Sequence, residues 1–129
     1  MAKIVVVDDQ EDICKSIEAR LSVDGHEVRT SKVGDEAIDF GYLFQPDVLI
    51  TDWRLKSEYD GLEVAQAFRV ANKNVKTILM TGYSISEVQE QVRDAKIFKT
   101  IAKPFRLEEI VKIVEQALGT DTRQCYSLN

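Results

Sequence analysis

The feature that most constrains the fold of this chain is a regular alternation between short apolar runs and longer amphipathic stretches. The runs are Ile4–Val7, the neighbourhood of Val28, Val48–Thr51, Val75–Met80 and, more weakly, Ile97–Ile101. Three of these runs are nearly continuous in apolar residues, which is typical of parallel strands covered on both faces. The alternation therefore predicts five strands that alternate with five helices, in an α/β domain with a parallel sheet.

The amphipathic stretches carry apolar residues three and four positions apart, the spacing that lines one face of a helix. The four stripes are Ile13/Ile17/Leu21, Leu62/Ala65/Phe68, Ile85/Val88/Val92 and Leu107/Ile110/Val111/Val114/Leu118. A shorter helix is predicted over Gly34–Leu43. Gly25 follows the first stripe and Gly119 the last, at positions where a left-handed residue often ends a helix. Right-handed crossovers place such helices on both faces of the sheet.

Length and charge restrict the organisation and the function of the chain. Its 129 residues suit one domain, which we assign to residues 1–119, because residues 120–129 are polar and aperiodic and read as a tail or the start of a linker. A net charge of −5 argues against binding to a nucleic acid or an anionic membrane surface. No apolar run is long enough to span a membrane. Cys14 and Cys125 fit free thiols of a cytoplasmic protein.

Polar side chains follow four of the predicted strands, at the edge where parallel sheets bind ligands. Asp8 and Asp9 follow the first strand and Asp52 the third, while Thr81 and Lys103 follow the fourth and fifth. Three carboxylates in one cleft repel one another by about 3–4 kcal/mol per pair at an effective dielectric near 20. Such a cluster needs a counter-charge, and oxygen ligands in a partly open site favour Mg²⁺.

Each of these residues also has a simpler interpretation when it is taken alone. Asp9 fits an N-cap of the first helix, Thr81 a β-branched strand residue, and Lys103 a surface charge. Zinc is disfavoured because it prefers His or Cys ligands, and His26 is predicted at the other end of the second strand. The functional interpretation rests on the arrival of all these side chains at one edge of the sheet.

In order and spacing, these residues resemble the receiver domain of two-component response regulators, over residues 2 to about 118. The matching segments are Val7-Asp8-Asp9, Leu49-Ile50-Thr51-Asp52, Asp60-Gly61-Leu62-Glu63, Met80-Thr81-Gly82 and Lys103-Pro104-Phe105. The resemblance implies a flavodoxin-like, doubly wound (βα)5 domain whose five-stranded parallel sheet has the order 2-1-3-4-5. It also implies a cis peptide bond before Pro104.

The resemblance implies a phosphoacceptor with a metal site. Asp52 is then the nucleophile that takes a phosphoryl group from a phosphohistidine on a histidine kinase or phosphotransfer protein. Asp8, Asp9 and Asp52 are the implied side-chain ligands of Mg²⁺, and the backbone carbonyl of Arg54 is a further one.

The resemblance also implies how phosphorylation produces a signal. Lys103 neutralises the phosphoryl oxygens, and Thr81 donates its hydroxyl to the phosphoryl group and draws the following loop inward. The chain is then a cytoplasmic signalling switch and not an enzyme acting on a substrate of its own. Its output passes to an effector domain or a docking partner. A homodimer through the fourth helix, fifth strand and fifth helix is left open.

The chain departs from the family pattern at two places. The loop Arg54–Tyr59 is one residue longer than in many receivers and contains no proline. Thr100 stands three positions before Lys103, where receivers often carry an aromatic residue. The nearest aromatic residue, Phe98, is expected on the same face of the fifth strand.

Arg54 and Tyr83 lie two residues past Asp52 and Thr81, and both are bulky. We expect them to flank the path of a hydrolytic water and to slow the loss of a phosphoryl group.

Three other functions remain as alternatives to a phosphorylated switch. A receiver-like interaction module that is never phosphorylated is compatible with the fold. A Mg²⁺-dependent phosphohydrolase of the haloacid dehalogenase type is disfavoured, because Arg54 stands where such enzymes carry a second Asp. A flavodoxin-type FMN domain is also disfavoured, since the first loop has no Ser/Thr/Gly-rich phosphate cradle.

Overall fold

A five-stranded parallel sheet with strand order β2-β1-β3-β4-β5 organises the chain. The computed structural model describes residues 2–93 and 95–119, so the predicted tail and Cys125 lie outside the described residues. The strands are β1 (Lys3–Val7), β2 (Glu27–Ser31), β3 (Val48–Asp52), β4 (Lys76–Thr81) and β5 (Lys99–Ala102). The predicted fold class and strand order are confirmed.

Five helices connect the strands. They are α1 (Glu11–Val23), α2 (Gly34–Leu43), α3 (Gly61–Ala71), α4 (Ile85–Val92) and α5 (Leu107–Leu118). The predicted short helix over Gly34–Leu43 is confirmed with the same bounds. Within the part of the chain that the structure covers, no helix combines the length and apolar character needed to cross a bilayer.

The core divides between the two faces of the sheet, as the two-residue side-chain period of a strand requires. On one face, Ile4 and Val6 of β1 pack with the apolar stripes of α1 and α5. On the other face, Val5 and Val7 pack with α2 and α3. Every residue of β3 is buried, so the strand that ends at Asp52 is held from both sides. Burying one large aliphatic side chain contributes about 1.5–3 kcal/mol.

Local signals account for several helix ends. Asp60 and Glu63 form a capping box at the start of α3, in which each side chain accepts a hydrogen bond from the backbone N–H of the other residue. Gly25 and Gly119 adopt φ angles of 89° and 69°, which confirms the predicted left-handed residues. The N-cap of α1 is Gln10, so the interpretation of Asp9 as a helix cap is wrong.

The fifth strand differs from its prediction. It begins at Lys99 and not at Ile97, so Phe98 lies just before the strand and its predicted place on the strand is wrong. The N–H of Phe98 donates to the carbonyl of Thr77, while the side chain is 38% exposed. Thr100 lies inside the strand and pairs with Leu79 of β4. The weak apolar pattern of this segment therefore reflects a short strand at the edge of the sheet.

Candidate functional site

The carboxyl ends of β1 and β3 bring three carboxylates together. Asp8 directly follows β1 and is fully buried, and Asp52 is the last residue of β3 and is 9% exposed. Asp8, Asp9 and Asp52 each place one carboxylate oxygen within 4.8 Å of the other two. The two strands are neighbours in the sheet, and this adjacency gathers acids that are 44 positions apart in the sequence.

Lys103 carries the cation that faces these acids. Its Nζ donates to Oδ2 of Asp8 at 2.8 Å and lies 3.4 Å from Oδ1 of Asp52. The Lys103 N–H donates to the carbonyl of Thr81 at 2.7 Å, which continues the pairing of β4 and β5 beyond Ala102. The Lys103–Pro104 peptide bond is cis, as the family resemblance implied. Lys103 therefore pairs directly with two of the three carboxylates, and the cationic side chains of Arg54 and Lys56 line the neighbouring cavity.

Burial and charge shift the pKa values of this cluster. Burial raises the pKa of Asp52 from 3.8 to about 6; the charge of Lys103 works against this rise and that of Asp8 adds to it. For Lys103, burial lowers the pKa, but the hydrogen bond to Asp8 and the charge of Asp52 outweigh it, so its pKa is raised. At neutral pH, therefore, the ammonium is charged and most of Asp52 is ionised.

The donor set of the cluster fits Mg²⁺. All three side chains offer carboxylate oxygens that lie close to one another, and the site is partly open. Oδ1 of Asp8 accepts from the N–H of Gln10 at 2.8 Å, which fixes the orientation of this carboxylate. The donor set does not suit zinc, which prefers His or Cys ligands. His26 lies at the opposite edge of the sheet, where its Nδ1 accepts from the N–H of Ala2.

Cys14 contacts the backbone of Asp8. Its buried thiol donates to the carbonyl of Asp8 at 3.3 Å. Burial, followed by the charge of Asp8, raises the pKa of this thiol to about 11. Cys14 therefore stays protonated at neutral pH and acts as a packing residue and hydrogen-bond donor.

A cavity of about 290 Å³ opens beside Asp52. It is lined by Asp9, Gln10, Asp52, Arg54, Lys56, Thr81, Gly82, Tyr83 and Lys103. Thr81 ends β4 and is buried, and its Oγ1 accepts from the N–H of Tyr83 at 2.9 Å. The structure thus brings Thr81 and Lys103 to the cavity that Asp9 and Asp52 also line.

Three stacked side chains, Trp53, Arg54 and Tyr83, lie beside this cavity, and Arg54 and Tyr83 line it. The Arg54 guanidinium lies 4.2 Å from the centre of the Trp53 ring and 5.7 Å from that of Tyr83. The two rings meet edge to face with their centres 5.2 Å apart. Trp53 is 4% exposed, whereas Tyr83 is 53% exposed, so the stack runs from the core to the surface. In the sequence, the position of Trp53 directly after Asp52 is the signal that could have indicated this contact.

Gly61 explains how α3 begins so close to Asp52. A Cβ atom at Gly61 would clash with the backbone carbonyl of Asp52, so a larger residue would displace the helix or the end of β3. Asp60 and Gly61 are therefore required together, one for the helix cap and one for the close approach.

Comparison with known sequences identifies relatives over most of the chain. A model of the response regulator receiver domain family matches residues 4–115. Sporulation initiation phosphotransferase F of Bacillus subtilis is 27% identical over 116 residues, which make up 90% of this chain and 93% of that protein. The regulatory protein AtoC of Escherichia coli is 28% identical over 90% of this chain, but the match covers only 25% of AtoC.

Comparison with solved structures gives the same result. The receiver domain of NtrX from Brucella abortus superposes with a TM-score of 0.82 at 28% identity, over 92% of this chain and 99% of that one. A longer NtrX structure from the same organism superposes with a TM-score of 0.84 at 27% identity, over 98% of this chain and 29% of that one. The chain thus spans about a quarter of AtoC and under a third of this longer NtrX chain. It belongs to the receiver domain family of two-component response regulators.

Proposed function

We propose that this receiver domain accepts a phosphoryl group on Asp52 in a Mg²⁺-dependent reaction and thereby switches its conformation. The observation that carries the proposal is the placement of a buried, largely ionised carboxylate beside two further acids and one ammonium group. A carboxylate nucleophile, a hard-cation site and a fixed positive charge are what phosphoryl transfer requires.

The transfer begins with Asp52 in its ionised form. A carboxylate oxygen of Asp52 supplies the electron pair for a new O–P bond while the N–P bond of the phosphohistidine breaks. The electron pair of the N–P bond stays on the imidazole nitrogen, which then takes a proton. Lys103, whose Nζ is 3.4 Å from Asp52 Oδ1, pairs with a phosphoryl oxygen as negative charge moves onto the site.

Asp8, Asp9 and Asp52 would hold the metal, with the backbone carbonyl of Arg54 as the further ligand that the family resemblance implies. When bound, Mg²⁺ would neutralise the phosphoryl oxygens and favour in-line displacement. The chain's own contribution is orientation, because Gln10 and Lys103 hold the two oxygens of Asp8 in place.

The switch starts at Thr81. Its hydroxyl accepts a hydrogen bond from Tyr83 and lines the cavity that receives the phosphoryl group. When Asp52 is phosphorylated, Thr81 donates to a phosphoryl oxygen and draws residues 82–84 and the start of α4 toward the site. Thr100 carries no ring, so the signal passes through this loop and α4.

The phosphoryl donor we propose is a histidine kinase or a phosphotransfer protein, and the receiver of the signal is an effector domain or a docking partner. Several relatives are longer than this chain, which fits an effector located elsewhere in such proteins. The assignment of residues 1–119 to the receiver and the homodimer through α4, β5 and α5 both stay predictions.

Acetyl phosphate with Mg²⁺, followed by intact mass measurement, tests the proposal. We expect the mass of one phosphoryl group on the wild type and none on Asp52→Asn. Asp39→Asn, an equal change of charge at an exposed position on α2, should be modified like the wild type. A wild type that binds Mg²⁺ but gains no mass and releases no phosphate would indicate an interaction module, whereas rapid phosphate release with no lasting gain of mass would indicate a phosphohydrolase.

A further inference from the structure

The loop that follows Asp52 leaves the sheet and returns to it at a fixed point. The N–H of Trp53 donates to the carbonyl of Met80 at 2.8 Å, and the N–H of Gly61 donates to the carbonyl of Trp53 at 3.0 Å. Residues 54–60 therefore form a closed excursion between two anchored backbone positions. This excursion includes Arg54, which lines the cavity at Asp52, and the extra residue of the loop.

Ser57 attaches this excursion to another element of the fold. Its Oγ accepts from the N–H of Gly34, the first residue of α2, at 3.2 Å. The same hydroxyl donates to the carbonyl of Tyr59 at 2.8 Å. The N-cap of α2 is Val33, whose side chain cannot cap a helix, so Ser57 serves an N–H that the local sequence leaves unpaired.

The packing around Gly34 fits this attachment. A Cβ atom at Gly34 would lie 2.9 Å from both Cβ and the carbonyl oxygen of Tyr59, so the absence of a side chain lets the excursion approach α2. Leu55 and Tyr59 pack against the core cluster that contains Val64. Two apolar side chains and one hydroxyl therefore fix the excursion on one side.

The turn that leads into α2 also reaches the first acid of the site. The N–H of Asp8 donates to the carbonyl of Ser31 at 3.1 Å. Oγ of Ser31 donates to the carbonyl of Val33 at 2.8 Å, one residue before Gly34. A continuous path of hydrogen bonds and backbone thus joins Asp8, the β2–α2 turn and Ser57.

We propose that Ser57 is a positioning residue of the site. Its hydroxyl binds the loop that carries Arg54 to the N-terminus of α2, and so holds the backbone carbonyl of Arg54 in position relative to Asp8. The part of this inference that concerns Mg²⁺ rests on the proposed function; the attachment of the loop to α2 does not. Its physical basis is preorganisation, because a ligand set that is already ordered loses less conformational freedom on binding a cation.

Two measurements on Ser57→Ala test this role. Without metal, amide hydrogen exchange should become faster in residues 54–60 and at the start of α2. With increasing MgCl₂, the rise of the melting temperature gives the affinity for the cation. We expect the dissociation constant to increase roughly three- to tenfold, the effect of one lost hydrogen bond.

Two further variants separate positioning from general stability. Ser57→Thr keeps the hydroxyl and should restore both the slow exchange and the affinity for Mg²⁺. Asn72→Ala removes hydrogen bonds to Asn74 and Pro46 at the opposite edge of the sheet, and should lower the melting temperature without changing the affinity.

The inference is overturned if Ser57→Ala binds Mg²⁺ like the wild type, or if Ser57→Thr is as weak as Ser57→Ala. Failure of the proposed function looks different, since the wild type itself would then gain no mass from acetyl phosphate or, where the metal site fails, would not respond to MgCl₂. In that case amide hydrogen exchange tests the attachment of the loop to α2. Unchanged exchange in residues 54–60 of Ser57→Ala would show that Ser57 does not hold the loop.

Discussion

The two sides of the site are built differently. On the side of the acids, β1 and β3 are central strands, every residue of β3 is buried, and Asp52 stands at the end of that rigid strand. On the other side, α4 has only eight residues and β5 only four. Of the four residues of β5, all of which the structure describes, only Ile101 is buried.

This difference indicates which side of the site is rigid and which side can move. The acids must stay close in spite of their repulsion, and a fully packed strand pair provides the necessary rigidity. The α4–β5 side holds fewer buried apolar contacts, so a smaller free-energy change can move it. Lys103 joins the two sides, because it extends from β5 and bonds to Asp8.

We expect the largest effect from the removal of Lys103, the residue that connects the two sides. In Lys103→Met the acids lose their fixed counter-charge, and the phosphoryl oxygens lose a charged partner in the transition state. We expect the rate of phosphorylation by acetyl phosphate to fall by about 100-fold, the typical loss when one such group is removed. The time course of the intact mass measures this rate.

The matched control for that experiment is Lys99→Met. Lys99 is the first residue of β5, the strand that Lys103 follows, but it is exposed, so phosphorylation should proceed at the rate of the wild type. Equal rates in Lys103→Met and Lys99→Met would show that Lys103 acts only as a surface charge.

The acid side was the easier one to predict from the sequence. Continuous β-branched runs mark buried parallel strands, and acids directly after such runs must come to the same sheet edge. The predicted strand over Val48–Thr51 differs from the observed β3 by one residue. The weak run at Ile97–Ile101 belongs to a half-exposed edge strand, where burial imposes little pattern, and Phe98 was misplaced for that reason.

Contacts between distant segments could not be predicted in this way. Ser57 and Gly34 are 23 positions apart, and neither residue has a local pattern that points to the other. The stack of Trp53, Arg54 and Tyr83 likewise depends on how the loops after β3 and β4 meet. Strand ends give approximate positions for such loops, but side-chain contacts follow only from the folded chain.

The ionisation of Asp52, on the acid side, predicts an effect of intermediate size on the stability of the folded chain. Its pKa is about 6 in the folded chain, against an ordinary value of 3.8, so the folded state binds the proton more tightly than the unfolded state. Stability therefore falls as the pH rises from about 4 to 6, and ionised Asp52 costs about 3 kcal/mol above that range.

In metal-free buffer, Asp52→Asn should accordingly be more stable than the wild type at pH 7.5, and this advantage should shrink below pH 6. Urea unfolding at several pH values in the presence of a chelator measures the difference. Asp39→Asn, at an exposed position, should show no such pH-dependent gain. A wild type more stable than Asp52→Asn at pH 7.5 would contradict the destabilisation by burial.

The smallest predicted effect concerns the stack that spans both sides. Arg54 follows β3, Tyr83 follows β4, and the two side chains meet beside the cavity that Asp52 also lines. Because their bulk narrows the path of a hydrolytic water, we expect Arg54→Ala/Tyr83→Ala to lose its phosphoryl group several times faster than the wild type. Tyr83→Phe keeps the ring against Trp53 and should decay at the rate of the wild type. If the double variant and the wild type decay equally fast, the stack does not shield the phosphoryl group.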